Sequence, residues 1–213
     1  MLHFRPFRLA FPALFLASLA GCAGTYTGPV EVTRFVADEP AGLGGGTIAL
    51  RFAEDLKNEA TRDAFRAAIG DQLVKLGYTV VPSEDAANQI ATINTSRTSQ
   101  AQATEQNPVS VGVGGSTGSF GSGLGVGVGV NLGGGANQSP RVVSQLRVAI
   151  TTNSDEPGRQ NLWEARAQFP TSVNSPYAPL DANARALAAA VFEDFPGSNG
   201  KTVQVRVKEL VEP

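Results

Sequence analysis

The chain has 213 residues, 42% of them hydrophobic and 17% charged, with 17 basic against 19 acidic side chains and a formal charge of -2 at neutral pH. That balance excludes the basic footprint of a nucleic-acid-binding domain and any general attraction to anionic lipid. One cysteine excludes an internal disulfide, and one histidine, His3, leaves little for the common catalytic and metal-binding constellations.

The amino-terminal segment predicts export. Arg5 and Arg8 form a short basic region, Leu9 to Leu19 is an apolar run interrupted only by Pro12 and Ser18, and the small residues Ala20 and Gly21 lead into Cys22. This is the layout of a secretory signal, and its apolar run falls well short of the ~18 to 20 residues a spanning helix needs. Residues 1–21 are therefore expected to be removed. Leu19, Ala20, Gly21 and Cys22 resemble, position by position, the lipobox of bacterial lipoproteins. The resemblance implies a diacylglycerol thioether on Cys22, cleavage just before it and acylation of the new amino group. Each buried methylene contributes ~0.8 kcal/mol, and more than one chain is needed for stable anchoring. Ala23 stands where lipoproteins of the enteric type carry Asp when they are retained in the inner membrane. The resemblance thus implies lipid anchoring in the outer membrane, facing the periplasm.

Processing changes the available chemistry. It leaves 15 basic against 19 acidic side chains, a formal charge of about −4, and it removes His3 while lipidation occupies Cys22. A Ser-His-Asp triad, a Cys-His pair, a histidine zinc site and a thiolate metal site each need a residue the processed chain lacks. No metal or other cofactor is expected. The remaining chain of about 190 residues is long enough to bury one core without disulfides.

Residues 22–29 read as a lipidated tether, and a single domain is expected over 30–213. Val30 to Val36 reads as a strand, Gly42 to Gly46 as a turn region, and Ile48, Leu50 and Phe52 alternate with Ala49 and Arg51 as a second, half-buried strand. From about Asn58 to Leu76, the residues Phe65, Ala68, Ile69, Leu73 and Leu76 make one helical stripe, and Gly77 marks its end. Extended structure resumes at Tyr78 to Val81, Pro82 to Asp85 turns, and Gln89 to Ser96 alternates as another strand.

Next comes the Gly/Val-rich stretch Val109 to Gly135, which holds half of the 24 glycines. It lacks lysine and the G-x-x-x-x-G-K-[ST] spacing of a phosphate cradle. Its period is two: Val109, Val111 and Val113, then Val126, Val128, Val130 and Leu132, with Gly114 to Gly123 as the turn between. A flexible loop and a hairpin packed on the domain or a neighbouring subunit both fit, with Val126, Val128 and Val130 as the candidate hairpin contacts, whereas for a membrane-inserting hairpin each arm is shorter than the ~9 to 11 residues a spanning strand needs.

Beyond it, Leu146, Val148 and Ile150 form one one-sided strand, and Trp163, Ala165, Ala167 and Phe169 another, with turn chemistry at Asn153 to Arg159 between them. Leu180, Ala184, Leu187, Ala188, Val191, Phe192 and Phe195 lie on one face of a second helix stopped by Pro196 and Gly197, and Val203, Val205 and Val207 make a last strand. These elements predict an α+β fold: a two-layer sandwich with a mostly antiparallel sheet, two amphipathic helices on one face, and the Gly/Val-rich hairpin or loop inserted at about 107–138.

On the uncovered sheet face, Gln145, Arg147, Arg166, Gln168, Gln204, Arg206 and Lys208 are long, polar and biased to positive charge. A solvated surface explains them. So does a docking surface, through Arg147, Arg166, Arg206 and Lys208, for an acidic partner or an anionic glycan. Glu193 and Asp194 sit where the second helix ends, a place its dipole disfavours for acids, and ion pairs within the fold would account for them.

Taken in order, the lipobox cysteine, PVEVTRFV from Pro29, QLVKLGYTVV from Gln72, the Val/Gly-rich insertion, NLWEARA from Asn161 and AAAVFEDFP from Ala188 resemble the lipoprotein family catalogued as domain of unknown function 4136. The likeness spans most of the processed chain, and it implies location and fold but transfers no catalytic or ligand-binding residue. The expected role is therefore a non-catalytic binding or scaffolding lipoprotein of the cell envelope, held to the membrane through Cys22 and engaging an envelope protein or glycan rather than nucleic acid. The alternative is a glycan- or lipid-processing enzyme drawing its acid and base from Glu54, Asp55, Glu84 and Asp85.

Overall fold

The computed structural model describes residues 25–38, 40, 42–100, 140–154 and 160–213. The signal segment, Cys22, and the Gly/Val-rich stretch with Val126, Val128 and Val130 lie outside the described residues. The strands are β1 (Val30–Val36), β2 (Gly46–Phe52), β3 (Tyr78–Val81), β4 (Gln89–Gln100), β5 (Arg141–Thr152), β6 (Asn161–Ser172) and β7 (Thr202–Val205), with helices α1 (Glu59–Lys75) and α2 (Leu180–Phe192). The fold is α+β, and the seven strands form one sheet in the order β3-β2-β4-β5-β6-β1-β7.

The sheet is mixed, which corrects the mostly antiparallel arrangement expected from the sequence. β2 runs parallel to both of its neighbours, β3 and β4, whereas the β4-β5, β5-β6, β6-β1 and β1-β7 pairs are antiparallel. Two connections make this possible. The first is α1, a helical crossover of the kind parallel strands require. The second is the short link from Val81 to Gln89, which crosses β2. Register explains its brevity: β3 ends opposite Ala49 and β4 begins opposite Ile48, so the chain crosses two strand spacings, roughly 10 Å, with almost no travel along the sheet. The 3₁₀ turn Glu84–Ala86 lies in this link and contacts β2, and beneath it Ala49 and Ile90 are fully buried.

Alternation sorts the strand side chains. Ile48, Phe52, Ile93, Leu146, Val148, Ile150, Trp163, Ala165, Phe169, Val30 and Val32 join α1 residues Phe65, Ile69 and Leu73 and α2 residues Leu187 and Val191 in one core. α1 has the stripe its sequence predicts, and the Asn58 side chain caps it by accepting from the Thr61 amide at 2.9 Å. α2 departs from the expected one-sided helix. It ends at Phe192 rather than Phe195, and Ala182 to Ala184 and Ala186 to Phe192 are all buried. Its alanines have no bulk to hold neighbours off, so the sheet, α1 and the carboxyl-terminal segment close round it. The last strand is also shorter than expected: β7 stops at Val205, and Val207 is buried in a 3₁₀ turn, Val207–Glu209.

The end of α2 rests on a buried charge. Arg34, on β1, is 4% exposed, and it donates from Nη2 to the Ala190 carbonyl at 2.8 Å and from Nε to the Val191 carbonyl at 3.1 Å. These carbonyls are among those a helix leaves without internal partners, and the negative end of the helix dipole favours a cation there. Gly197 closes the site: its φ is +79°, and a Cβ on it would lie 2.6 Å from Cδ of Arg34. Trp163 seals the flank, with its indole N–H on the Pro196 carbonyl at 2.9 Å and its ring stacked on Phe192 at 5.4 Å. Arg34→Met keeps the aliphatic stem and removes the donors, so we expect a loss of about 2–3 kcal/mol. Urea unfolding monitored by Trp163 fluorescence should show a lower midpoint with an unchanged slope.

Candidate functional site

The polar face of the sheet brings five of the seven sequence-predicted residues, Gln145, Arg147, Arg166, Gln168 and Gln204, together in two rows. In antiparallel pairs, residues directly opposite share a face. Gln145 lies opposite Gln168, which lies opposite Glu31, which lies opposite Gln204. In the second row Asn94, Arg147, Arg166, Thr33 and Thr202 follow one another across five strands. Gln204 donates to Glu31 Oε1 at 3.2 Å, and the Thr33 and Thr202 hydroxyls share a hydrogen bond of 2.7 Å.

Arg147 and Arg166 face each other directly, an arrangement that like-charge repulsion disfavours. Glu164 resolves it. Two residues before Arg166 on the same strand, it projects to the same face, and its carboxylate accepts from Arg147 Nε at 2.9 Å, Arg147 Nη2 at 2.8 Å and Arg166 Nε at 2.7 Å. The Glu164 side chain is 8% exposed, whereas those of Arg147 and Arg166 are 47% and 61% exposed. Burial pushes the Glu164 carboxyl upward, but the hydrogen bonds and charges of the two arginines outweigh it and hold the group below its ordinary range. Arg166 also lies over the Phe35 ring at 5.5 Å, and Phe35 is 40% exposed. The face therefore presents two braced guanidinium groups around a sunken carboxylate, with amide side chains beside them.

The positive bias read from the sequence for this face is reduced in the structure on two counts. Glu164 neutralises one of the two arginines. Arg206 and Lys208 lie beyond the end of β7, where Arg206 pairs with Glu209 at 2.9 Å and Lys208 sits in the 3₁₀ turn. They do not join Arg147 and Arg166 on the sheet. Glu164, Phe35 and Asn94 are the members sequence reasoning missed. The signal for Glu164 was present, since an acid two residues from an arginine within a strand must share its face.

Of the carboxylates considered for catalysis, one is held in an ion pair and three are exposed. Glu84 is clamped by Arg51, whose Nε donates to Oε1 at 2.7 Å and whose Nη2 contacts Oε2. Glu54 and Asp55 are exposed in the turn after β2, and Asp85 is exposed beside Glu84. Among the described residues no group of three or more His, Cys, Asp or Glu is arranged to hold a metal ion, and no helix is long and apolar enough to cross a membrane.

No family model and no curated protein matches the chain. Among solved structures, it is similar to a PDZ domain protein from Parabacteroides distasonis at 16% identity and a TM-score of 0.49, over 84% of this chain and 39% of that one. It is also similar to PelC from Paraburkholderia phytofirmans, solved as a dodecamer, at 10% identity and a TM-score of 0.39, over 76% of this chain and 94% of that one. A variant of the same dodecamer gives 11% identity and a TM-score of 0.37.

Glu164→Gln should leave one acceptor for two opposed arginines and cost about 1 kcal/mol, a modest figure because water screens the exposed guanidinium groups. Because the folded-state carboxyl titrates below its unfolded counterpart, its contribution is complete above the ordinary carboxylate range and disappears as pH falls through the folded value. Urea midpoints measured from neutral to acid pH should therefore converge for the native and Glu164→Gln proteins.

Proposed function

We propose that the protein is an exported lipoprotein, cut before Cys22, anchored by acyl chains on that residue in the outer membrane and facing the periplasm, with a binding or scaffolding role and no catalytic one. The observation that carries this reading is the joint signal at the amino end: Arg5 and Arg8, the apolar run Leu9 to Leu19, and Leu-Ala-Gly before the chain's one cysteine. The resemblance to the domain of unknown function 4136 lipoproteins points the same way. The flat polar face supports binding, because Arg147 and Arg166 are braced by Glu164 and still hold much of their surface open to solvent. Arg51 supports it from the other side by tying up Glu84, the carboxylate with the most enclosed position of those weighed for acid-base work.

In this reading the stretch 107–138 is an insertion in an otherwise two-layer domain, with Val126, Val128 and Val130 as contact positions. Crosslinking in intact cells, with and without Val109 to Gly135, tests that assignment: partners captured by the full chain should be lost from the deletion, and an identical set would remove the segment from the contact surface. Anchoring itself is tested by Cys22→Ser. Metabolic labelling with a fatty acid should mark the native protein and leave Cys22→Ser unmarked, with the variant released from the membrane fraction. A labelled, membrane-bound Cys22→Ser protein would overturn the proposal.

A further inference from the structure

The chain does not trail loosely into the domain. At its first described residues the Tyr26 amide donates to Ser172 Oγ at 2.9 Å, the Ser172 amide donates to the Tyr26 carbonyl at 2.8 Å, and the Gly28 amide donates to the Pro170 carbonyl at 3.0 Å. Thr27 bridges to Thr171, and its hydroxyl shares a 2.7 Å hydrogen bond with Ser175. The contact is too close for a side chain at Gly28, where a Cβ would lie 2.8 Å from both Pro170 Cγ and Tyr26 Oη. Above it the Arg141 guanidinium sits 4.7 Å from the centre of the Tyr26 ring. Residues 26 to 28 are thus clamped to the last residues of β6 and the first of β5.

Ala23 and Gly24 alone separate Cys22 from Thr25. Three residue steps reach roughly 11 Å at full extension. From this we infer that the end of the sheet formed by the tips of β4 and β5, the last residues of β6 and the turn Val173–Pro179 faces the lipid surface, with the strands rising away from it. The inference rests on acylation of Cys22 and adds the orientation of the domain to that reading. A longer free linker would let any face meet the membrane; a clamp this close to the anchor does not.

The chemistry of this end suits a phospholipid headgroup layer. Its segments, 25–29, 96–100, 140–144 and 169–179, hold Arg97 and Arg141 and no acid, with Asp181 and Glu212 flanking them. Val173 is 51% exposed in the turn. The opposite end is different. Trp163 lies nine residues back along β6 and so about 30 Å farther from the anchor; Phe192 and Phe195 pack on it, Glu193 and Asp194 between them act on the charge of Arg34, and Asp38 follows two residues after Val36, the β1 partner of Trp163.

The test uses the lipidated protein, whose one native cysteine is already occupied. Fluorescent labels are placed by Val173→Cys and Ser99→Cys at the near end and by Ser198→Cys at the far end. Each protein is reconstituted in vesicles of phosphatidylethanolamine and phosphatidylglycerol that carry a headgroup-attached nitroxide quencher. Fluorescence from Val173→Cys and Ser99→Cys should be lost and that from Ser198→Cys retained. Inserting a roughly twelve-residue Gly/Ser segment before Thr25, with a mean span of ~20 Å, should abolish the contrast. Equal quenching at both ends of a protein whose mass confirms the lipid, or a contrast that survives the insertion, overturns the orientation and leaves the anchoring intact. A mass without lipid overturns both.

Discussion

A single buried guanidinium organises one end of this fold. Arg34 occupies a position on β1 that the alternation assigns to the core, where an unpaired charge would cost several kcal/mol. It is tolerated because α2 ends directly over it and offers the carbonyls of Ala190 and Val191. Burial lowers the affinity of Arg34 for its proton, and the charges of Glu193 and Asp194 act in the opposite direction. These two acids look misplaced against the dipole of α2 when the helix is considered alone. With a cation beneath the helix end, they belong to the same electrostatic arrangement. The Arg34 carbonyl completes the knot by accepting from the Gly200 amide at 2.7 Å, which brings the chain round to β7.

The helices and the sheet share one core, and the polar side of the sheet is organised by a short crossing of the chain and by ion pairs. Two links build it. The crossing from β3 to β4 covers Ala49 and Ile90 and sets Glu84 over Arg51, and Glu164 draws Arg147 and Arg166 into one cluster. Both links rely on arginines whose forks match carboxylates, which a lysine could not reproduce with the same geometry. Order on this face therefore comes from hydrogen-bonded pairs, which continue into the adjoining row where Gln204 donates to Glu31.

Local pattern made much of this legible from the residues. The bounds of β1, the stripe of α1 and the inward valines and alanines of β5 and β6 follow from periods of 2 and 3.6 residues. Direction within the sheet was less accessible. A helix between β2 and β3 does signal a parallel pair, but the link from Val81 to Gln89 is short enough to suggest a hairpin, and only the register about Ala49 shows why it crosses instead. α2 departs from its expected one-sided form for a related reason: alanine carries little sidedness, so its burial on nearly every side depends on neighbours distant in sequence. Arg206 and Lys208 continued an alternating pattern past the point where pairing stops, and the pattern does not record where the partner strand ends.

β4 is longer than the partner on one of its sides. β2 accompanies it as far as Ile93, and among the described residues no other strand pairs with that edge over Asn94 to Gln100. Bare backbone of this length is a template for stacking one molecule on another. The sequence here is Asn-Thr-Ser-Arg-Thr-Ser-Gln, without an aliphatic or aromatic residue. The Thr95 hydroxyl is already engaged, donating to the Gln145 carbonyl at 2.7 Å, and the charge of Arg97 in the middle of the run opposes pairing with its own copy. For a chain anchored as proposed above, such an edge would let copies crowd against one another on the membrane without nucleating fibres.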